Sequence, residues 1–279
     1  MIRVAVRLAV LAAALGVLPG RAAAENIYLA LGDSSAFGET TVSFKSGLEA
    51  DRVSTDNAVS FNTNYAQPYP SQLRLMQQTI AAQRALGNAI PVVTVQLGAN
   101  DLFAAATQPG FLTGTPAEQQ ALLVAALLGP GGFAERYAAI LADLRARLPG
   151  ADVYAIGYHN PYPGAPADSL SSVFAGPSVG GVQFLNAVIA DVGAQFGAKY
   201  VDFYTPLVGR EAELTHIAIR LPNGEYDYVN DVHLTAAGYQ IEAQQLIGAA
   251  QPVPAPPAAL LACVGAALLG AGRLVRRAA

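Results

Sequence analysis

Residues 30–38 read ALGDSSAFG and follow directly from an apolar run that begins at Ile27. The run 27–31 is continuous rather than alternating, which is typical of a strand covered on both faces of a parallel sheet. After Gly32 the chain presents one acid and two hydroxyls, namely Asp33, Ser34 and Ser35. Either these residues form an ordinary turn, which Asp and Ser stabilise, or the strand presents a nucleophile.

Three further apolar runs predict strands, and amphipathic patterns between them predict helices. The other predicted strands are 92–97, 152–157 and 199–203. The predicted helices are 71–86, 116–128, 133–148, 182–196 and 235–247. Strands that alternate with helices give right-handed crossovers and a parallel sheet, so we predict one sizeable α/β domain.

Candidate site residues follow the predicted strands. They are Ser34 after the first, Gly98, Asn100 and Asp101 after the second, and Tyr158, His159 and Asn160 after the third. Asp231 and His233 come just before the last helix. Ligands bind such sheets beyond the carboxyl ends of the strands, so we expect the Ser, Asn and His side chains to meet at one edge.

Three motifs in this set resemble those of the GDSL or SGNH hydrolase family. They are Gly32-Asp33-Ser34-Ser35, Gly98-Ala99-Asn100-Asp101 and Asp231-Val232-His233, in the family's order. The resemblance covers most of residues 25–248. It implies a flavodoxin-like three-layer α/β/α fold and hydrolysis of esters or thioesters through an acyl-enzyme, with no metal and no organic cofactor.

The resemblance also assigns site residues. It makes Ser34 the nucleophile and His233 the general base, with the Ser34 backbone amide and the Asn100 side chain as oxyanion donors. This agrees with the chemistry, because a serine hydroxyl needs an imidazole to take its proton and an oxyanion needs fixed donors. Gly98 and His159 are predicted to contact the substrate, and for His159 a structural role in its loop is the alternative.

The acid of the triad departs from the family pattern. The family usually has Asp three residues before the histidine, but that position holds Asn230 here, and Asp231 lies only two residues before His233. Asp231, Asn230 or a backbone carbonyl could orient the imidazole, and we expect Asp231. Replacing the triad Asp by Asn in serine proteases costs about 10⁴ in kcat, so this acid decides whether the enzyme is competent.

Residues 35–70 contain no convincing strand, because Ser, Thr, Asn and Asp dominate the segment. Family members carry a second strand and a glycine that donates to the oxyanion in this part of the chain. The stretch GETTVSF from Gly38 resembles that block but follows the serine with no crossover between. We therefore expect an edge strand and its helix to be missing, with Gly38 as the third oxyanion donor.

Both ends of the chain carry targeting signals. Residues 1–24 are typical of a secretory signal, with Arg3 and Arg7, an apolar segment and a small-residue cleavage site. Residues 251–279 form a Pro-rich linker and an apolar tail that ends in arginines. The tail resembles the PEP-CTERM sorting signal of Gram-negative bacteria, which implies an exosortase-type processing protease. Ala255 stands where that signal has Glu, and an unprocessed tail would anchor the protein in the membrane.

Charge and composition exclude some classes of partner. All 20 acidic residues lie between Glu25 and Glu242, whereas six of the 16 basic residues lie in the two terminal segments. An acidic middle repels phosphate backbones, so nucleic acid is not an expected partner. The one cysteine, Cys263, is in the tail, and the three histidines have no paired spacing, so no metal site is predicted.

These observations predict an exported serine esterase or lipase-like hydrolase, in the periplasm, at the cell surface or secreted, with residues 25–250 as its domain. Polysaccharide deacetylation is an alternative within the same chemistry. A surface binding or structural protein with an impaired site is the alternative from another class, motivated by the missing strand and the displaced acid. A glycosidase that uses Asp33 and Asp231 as a carboxylate pair would leave the Ser, Asn and His residues unexplained.

Overall fold

Five parallel strands form one sheet in the computed structural model, which describes residues 24–33, 35, 53–59, 68–162, 172–228 and 231–250. The strands are β1 (Asn26–Gly32), β2 (Val53–Val59), β3 (Ala89–Gln96), β4 (Asp152–Ile156) and β5 (Lys199–Val201). Their order across the sheet is β2-β1-β3-β4-β5, and every neighbouring pair is parallel. This is the flavodoxin-like strand order, so the predicted fold class is confirmed.

Helices connect the strands. The described α-helices are α1 (Pro68–Leu86), α2 (Ala99–Ala106), α3 (Pro116–Leu128), α4 (Phe133–Arg147), α5 (Ser172–Gln195), α6 (Glu211–Leu214) and α7 (Ala236–Ala250). The five predicted helices are all present, although α5 begins at Ser172 rather than at residue 182. The sequence pattern does not predict α6 or the antiparallel hairpin that follows it, β6 (Ala218–Arg220) and β7 (Tyr226–Tyr228).

Alternate residues of the central strands face two separate helical layers. In β1, Ile27, Leu29 and Leu31 lie in one buried cluster with side chains from α1, α4 and α5. Tyr28 and Ala30 lie in a second buried cluster with Leu246 of α7. The sheet is thus covered on both faces, which confirms the three-layer arrangement and explains why its strands are continuously apolar.

The expectation that an edge strand is missing was wrong. Strand β2 pairs in parallel with β1, with Ala58 opposite Ala30. Its sequence, VSTDNAV, escapes the pattern because an edge strand has a neighbour on one side only and tolerates polar residues that a central strand does not. Residues 33–52 connect β1 to β2, which leaves room for the dozen or so residues that a parallel crossover needs. Most of that connection, including Gly38, lies outside the described residues.

The topology selects one place on the sheet for a ligand. The chain leaves β1 toward β2 on one side and later returns on the other side to form β3, so the strand order reverses between β1 and β3. Ligands of doubly wound sheets bind at the carboxyl ends of the strands at such a switch point. The Gly32-Asp33-Ser34-Ser35 motif follows β1, and Gly98 and Asn100 follow β3. Two of the three predicted motifs therefore lie at the switch point.

Candidate functional site

Asp33 shapes the turn at the end of β1. Its backbone N–H donates to the Gln96 carbonyl oxygen at 3.0 Å, which extends the pairing of β1 with β3. Its carboxylate Oδ1 accepts the backbone N–H of Ser35 at 3.0 Å, the side-chain contact that typically stabilises a turn beginning at Asp. Ser34 lies outside the described residues, but its two chain neighbours, Asp33 and Ser35, are joined by this hydrogen bond. The two interpretations of this motif, a turn stabilised by Asp33 and a nucleophilic serine at the end of a strand, are therefore compatible.

The Asp33 carboxyl group is buried. Its second oxygen, Oδ2, accepts the hydroxyl hydrogen of Tyr158. Burial raises the pKa of Asp33 from its ordinary value of 3.8 to about 6, and the hydrogen bonds from Tyr158 and Ser35 limit the rise. This carboxyl group consequently gains or loses its charge in mildly acidic solution, directly beside Ser34 in the chain.

Asn186 of α5 holds the loop that follows β4. Its Oδ1 accepts the backbone N–H of Tyr158 at 2.8 Å, and its Nδ2 donates to the Tyr158 carbonyl oxygen at 2.8 Å. One amide side chain thus satisfies both backbone groups of a buried residue that has left the sheet. The contacts run from α5 through Tyr158 to Asp33. Sequence reasoning missed this connection, because a lone Asn on a helix carries no signal of a distant backbone partner.

Asn100 lies in the first turn of α2 and is half-buried. Gly98 lets that helix begin immediately after β3: its φ is 128°, and a Cβ there would lie 2.7 Å from Leu185 Cδ1. Asp101 forms an ion pair with Arg136 of α4, which fixes the same turn. The Asn100 side chain makes no hydrogen bond to any other described residue, so its amide N–H groups are available to a ligand.

Asp231 and His233 contact each other just before α7. Asp231 Oδ1 lies 2.8 Å from His233 Nδ1 and accepts the His233 backbone N–H at 3.0 Å. Partial burial acts to raise the pKa of Asp231, but the hydrogen bonds and charge of His233 outweigh it and leave this pKa below its ordinary value. Asp231 is therefore ionised at neutral pH and placed to orient the imidazole. Asn230 lies outside the described residues.

Backbone hydrogen bonds fix the segment that carries these two residues, residues 231–235, which we call the histidine loop. The His216 N–H donates to the His233 carbonyl oxygen at 2.7 Å, and the Thr235 N–H donates to the Leu214 carbonyl oxygen at 2.9 Å. Gly238 permits this close approach, since a Cβ there would lie 2.3 Å from the Leu214 oxygen. His216 thus supports the loop through its backbone.

His159 is a buried residue in the loop after β4. Its ring Nε2 lies 3.1 Å from the carbonyl oxygen of Val232, inside the histidine loop. Its Nδ1 lies 3.4 Å from Oε1 of Glu242, a buried acid on α7. The ring also lines the cavity described next, so the predicted substrate contact and the structural role are both geometrically open to it.

An apolar cavity of about 80 Å³ opens beside these elements. Its apolar lining comes from α2, α3, α5 and the loop between α2 and α3: Leu102, Phe103, Phe111, Leu123, Val182 and Leu185. Ser35, Ala99 and Val232 also line it, and they are the chain neighbours of Ser34, Asn100 and His233 respectively. The three motifs therefore converge on one cavity. Gly98 is not among its lining residues, and what the structure shows for Gly98 is tight packing.

Two properties of the described part of the chain complete the description. Within the ranges given above, no group of three or more His, Cys, Asp or Glu side chains is placed to hold a metal ion. No helix in those ranges is long and apolar enough to cross a bilayer. Residues 1–23, which make up most of the predicted signal segment, and the predicted tail, residues 251–279, lie outside them.

Comparison with known proteins gave one family match and several similar folds. The profile of the GDSL-like lipase/acylhydrolase family matches residues 30–241. Among solved structures, phospholipase A1 from Streptomyces albidoflavus is similar with a TM-score of 0.54 and 18% identity, over 82% of this chain and 100% of that one. An acetylxylan esterase from Geobacillus stearothermophilus, solved as a catalytic mutant, is similar with a TM-score of 0.50 and 12% identity, over 82% and 95%.

At 18% and 12% identity, the two solved structures show that this chain shares their fold. A search of curated proteins gave no match to the sequence. The family profile, in contrast, spans most of the chain and includes all three motifs. The protein therefore belongs to the GDSL-like lipase/acylhydrolase family and is a serine ester hydrolase.

Proposed function

We propose that this protein is an exported hydrolase that cleaves carboxylic esters through an acyl-enzyme, with Ser34 as nucleophile, His233 as general base and Asp231 as the orienting acid. One observation carries the proposal: the Asp231–His233 contact belongs to a loop that shares an apolar cavity with the neighbours of Ser34 and Asn100. A serine, an oriented imidazole, an amide donor and an apolar site are the parts that acyl transfer requires.

The reaction proceeds in two halves. His233 Nε2 takes the Ser34 hydroxyl proton as Oγ attacks the ester carbonyl carbon, and the oxyanion is held by the Ser34 backbone N–H and the Asn100 amide. His233 then gives that proton to the leaving alcohol, and the acyl group stays on Ser34. A water attacks the acyl-enzyme with His233 again as base, which releases the acid and restores Ser34. Gly38 is the proposed third donor to the oxyanion.

Asp231 supports this cycle from the other side of the ring. Because its Oδ1 lies 2.8 Å from His233 Nδ1, the Nδ1 hydrogen points to Asp231 and Nε2 is left to accept the serine proton. The ionised acid also stabilises the imidazolium formed in each half of the reaction.

The cavity indicates the acyl group. On the measure that gives this cavity about 80 Å³, one water, which is about the size of a methyl group, occupies roughly 10–15 Å³, so the cavity exceeds what an acetyl group fills. Its lining is largely aliphatic and aromatic, which favours an acyl chain of several carbons. This supports an esterase of lipase type over a polysaccharide deacetylase, which binds only an acetyl group in its acyl site.

The alternative of a binding protein with an impaired site was motivated by an edge strand expected to be missing and by the displaced acid. Strand β2 is present next to β1, and Asp231 contacts His233 despite its shifted position. Both findings favour a complete site.

Export is the part of the proposal that rests on sequence alone. Residues 1–24 serve as the signal, residues 25–250 as the hydrolase domain and residues 251–279 as the sorting tail. An exosortase-type protease of a Gram-negative host would remove the tail, or the tail would keep the enzyme at the membrane. The proposed setting is the periplasm, the cell surface or the medium, with small-molecule, lipid or polysaccharide esters as substrates.

A chain-length series tests the function. Purified protein is assayed with p-nitrophenyl acetate, butyrate and octanoate, beside Ser34→Ala and the adjacent control Ser35→Ala. We expect kcat/KM to rise from acetate to the longer esters, turnover to vanish in Ser34→Ala, and Ser35→Ala to keep most of it. Turnover that survives in Ser34→Ala would refute the mechanism, and a strict preference for acetate would favour the deacetylase.

A further inference from the structure

We infer that His159, held by Glu242, is a positioning residue that keeps the histidine loop in its catalytic geometry. The inference rests on the proposed function, since that loop carries Asp231 and His233. Neither His159 nor Glu242 has a part in the proposed reaction cycle, yet both are buried and both are polar. A chain of contacts leads from α7 through these two side chains to the backbone of the loop.

His159 acts between the two functional residues. Val232, whose carbonyl oxygen lies 3.1 Å from His159 Nε2, is the residue that separates Asp231 from His233. The peptide that His159 contacts is therefore the one that joins Val232 to His233. The backbone bonds to Leu214 and His216 hold the later part of the loop, and His159 holds the part between acid and base.

Burial explains why the loop needs this support. The side chains of His159 and Glu242 are 6% and 1% exposed, whereas those of Asp231 and His233 are 49% and 42% exposed. Packing therefore orders the first pair far more than the second. The contact of the buried His159 with the Val232 carbonyl oxygen therefore restrains the half-exposed catalytic pair, Asp231 and His233.

Glu242 lies against the other nitrogen of the His159 ring. A carbonyl oxygen accepts and cannot donate, so Nε2 must carry a hydrogen. Nδ1 faces the carboxyl group of Glu242, with Oε1 3.4 Å away; the two atoms are at ion-pair distance but do not have hydrogen-bond geometry. Without Glu242, the neutral ring is free to place its hydrogen on Nδ1, which would set a lone pair of Nε2 against the Val232 oxygen.

Two pairs of variants test the inference in the full chain. His159→Phe keeps the ring but removes both nitrogens, and His159→Gln keeps a donor near the position of Nε2. Glu242→Leu removes the partner of Nδ1, and Glu242→Gln keeps a donor toward it. We expect His159→Phe and Glu242→Leu to lower kcat toward octanoate by about 10²-fold with little change in KM, because misplacing a catalytic group by about 1 Å has that cost.

The conservative variants provide the contrast. His159→Gln and Glu242→Gln should restore kcat to within about tenfold of the wild type, since each retains the required donor. The rate of fluorophosphonate labelling should follow the same order, because it reports activation of the nucleophile without the deacylation step. Circular dichroism and thermal melting show that the compared variants are folded.

His159→Phe leaves the Glu242 carboxyl group buried beside a phenyl ring, so this variant can fail to fold. In that case the double variant His159→Phe/Glu242→Leu removes both polar groups together and is compared with the wild type instead. A folded single or double variant with wild-type kcat would overturn the inference, and so would a folded His159→Gln as slow as His159→Phe. If the wild type itself showed no Ser34-dependent turnover, the proposed function would fall first and this inference with it.

Discussion

Asp231 is the residue on which the catalytic proposal depends most among those that the structure describes. Its carboxylate lies 2.8 Å from His233 Nδ1, although the spacing of the two residues departs from the family pattern. We predict that Asp231→Asn lowers kcat by about 10³–10⁴, because an amide facing Nδ1 no longer selects the tautomer with a basic Nε2. Asn230→Ala is the matched control and should keep kcat within a few-fold. Steady-state kinetics with p-nitrophenyl butyrate measures both, and an equal loss in the two variants would contradict the assignment.

Asp33 makes a prediction about stability and pH. Burial raises its pKa from 3.8 to about 6, so between these values the folded protein holds a proton that the unfolded chain has released. Its contribution to the free energy of unfolding is present below pH 4 and is lost as pH rises through about 6. The loss is at most about 3 kcal/mol at 1.36 kcal/mol for each unit of pKa.

Urea unfolding at pH 4, 5, 6 and 7 measures this effect as the difference between the wild type and Asp33→Asn. That difference isolates Asp33 from carboxyl groups with lowered pKa values, such as Asp231, whose contribution has the opposite sign. Asp191→Asn, on the exposed side of α5, is the control for loss of one charge. Its free energy of unfolding should change with pH as that of the wild type does. If the free energy of unfolding of Asp33→Asn changed with pH as that of the wild type does, the buried, partly protonated state would be contradicted.

At the scale of elements, the junction between β3 and α2 sets the direction of Asn100. Gly98 has a φ of 128°, and a Cβ there would meet Leu185 at 2.7 Å and the Phe133 ring at 3.0 Å. We predict that Gly98→Ala lowers the free energy of unfolding by roughly 1–3 kcal/mol and also lowers kcat, since the helix that carries Asn100 must shift. Gly150→Ala is the control, because its Cβ would contact no neighbouring atom. Chemical denaturation compares the two, and equal stability would refute the packing argument.

The elements also show which features a sequence reveals. The central strands were predictable because burial on both faces of the sheet requires continuous apolar runs, and α3 and α4 were predictable because amphipathic helices impose a period on the sequence. Strand β2 was not predicted because VSTDNAV has the composition of a loop, and a strand at the edge of a sheet can pair without an apolar run. The sequence also did not predict two sets of side-chain contacts, those of Asn186 with Tyr158 and those of His159 with Val232 and Glu242. They join residues far apart in the chain through single side chains, which leave no periodic signal.

At the scale of the whole molecule, α2, α3 and α5 together form the cavity proposed for the acyl chain. Gly181 of α5 lines it, and a Cβ there would lie 3.1 Å from the end of Leu102. We predict that Gly181→Leu lowers the ratio of octanoate to acetate turnover by about tenfold or more, because each displaced methylene is worth 1–3 kcal/mol. Gly180→Leu adds the same side chain on the exposed side of the helix and should leave the ratio unchanged. Equal ratios in both variants would place the acyl group elsewhere.

The central claim is that Ser34 is an activated nucleophile, and active-site labelling tests it most directly. Purified protein is treated with a fluorophosphonate, and peptide mapping by mass spectrometry locates the adduct. We predict one adduct on Ser34, absent in Ser34→Ala, slowed in Asp231→Asn and retained in Ser35→Ala. A folded protein that takes up no label, or that carries it on Ser35, would contradict the proposed mechanism.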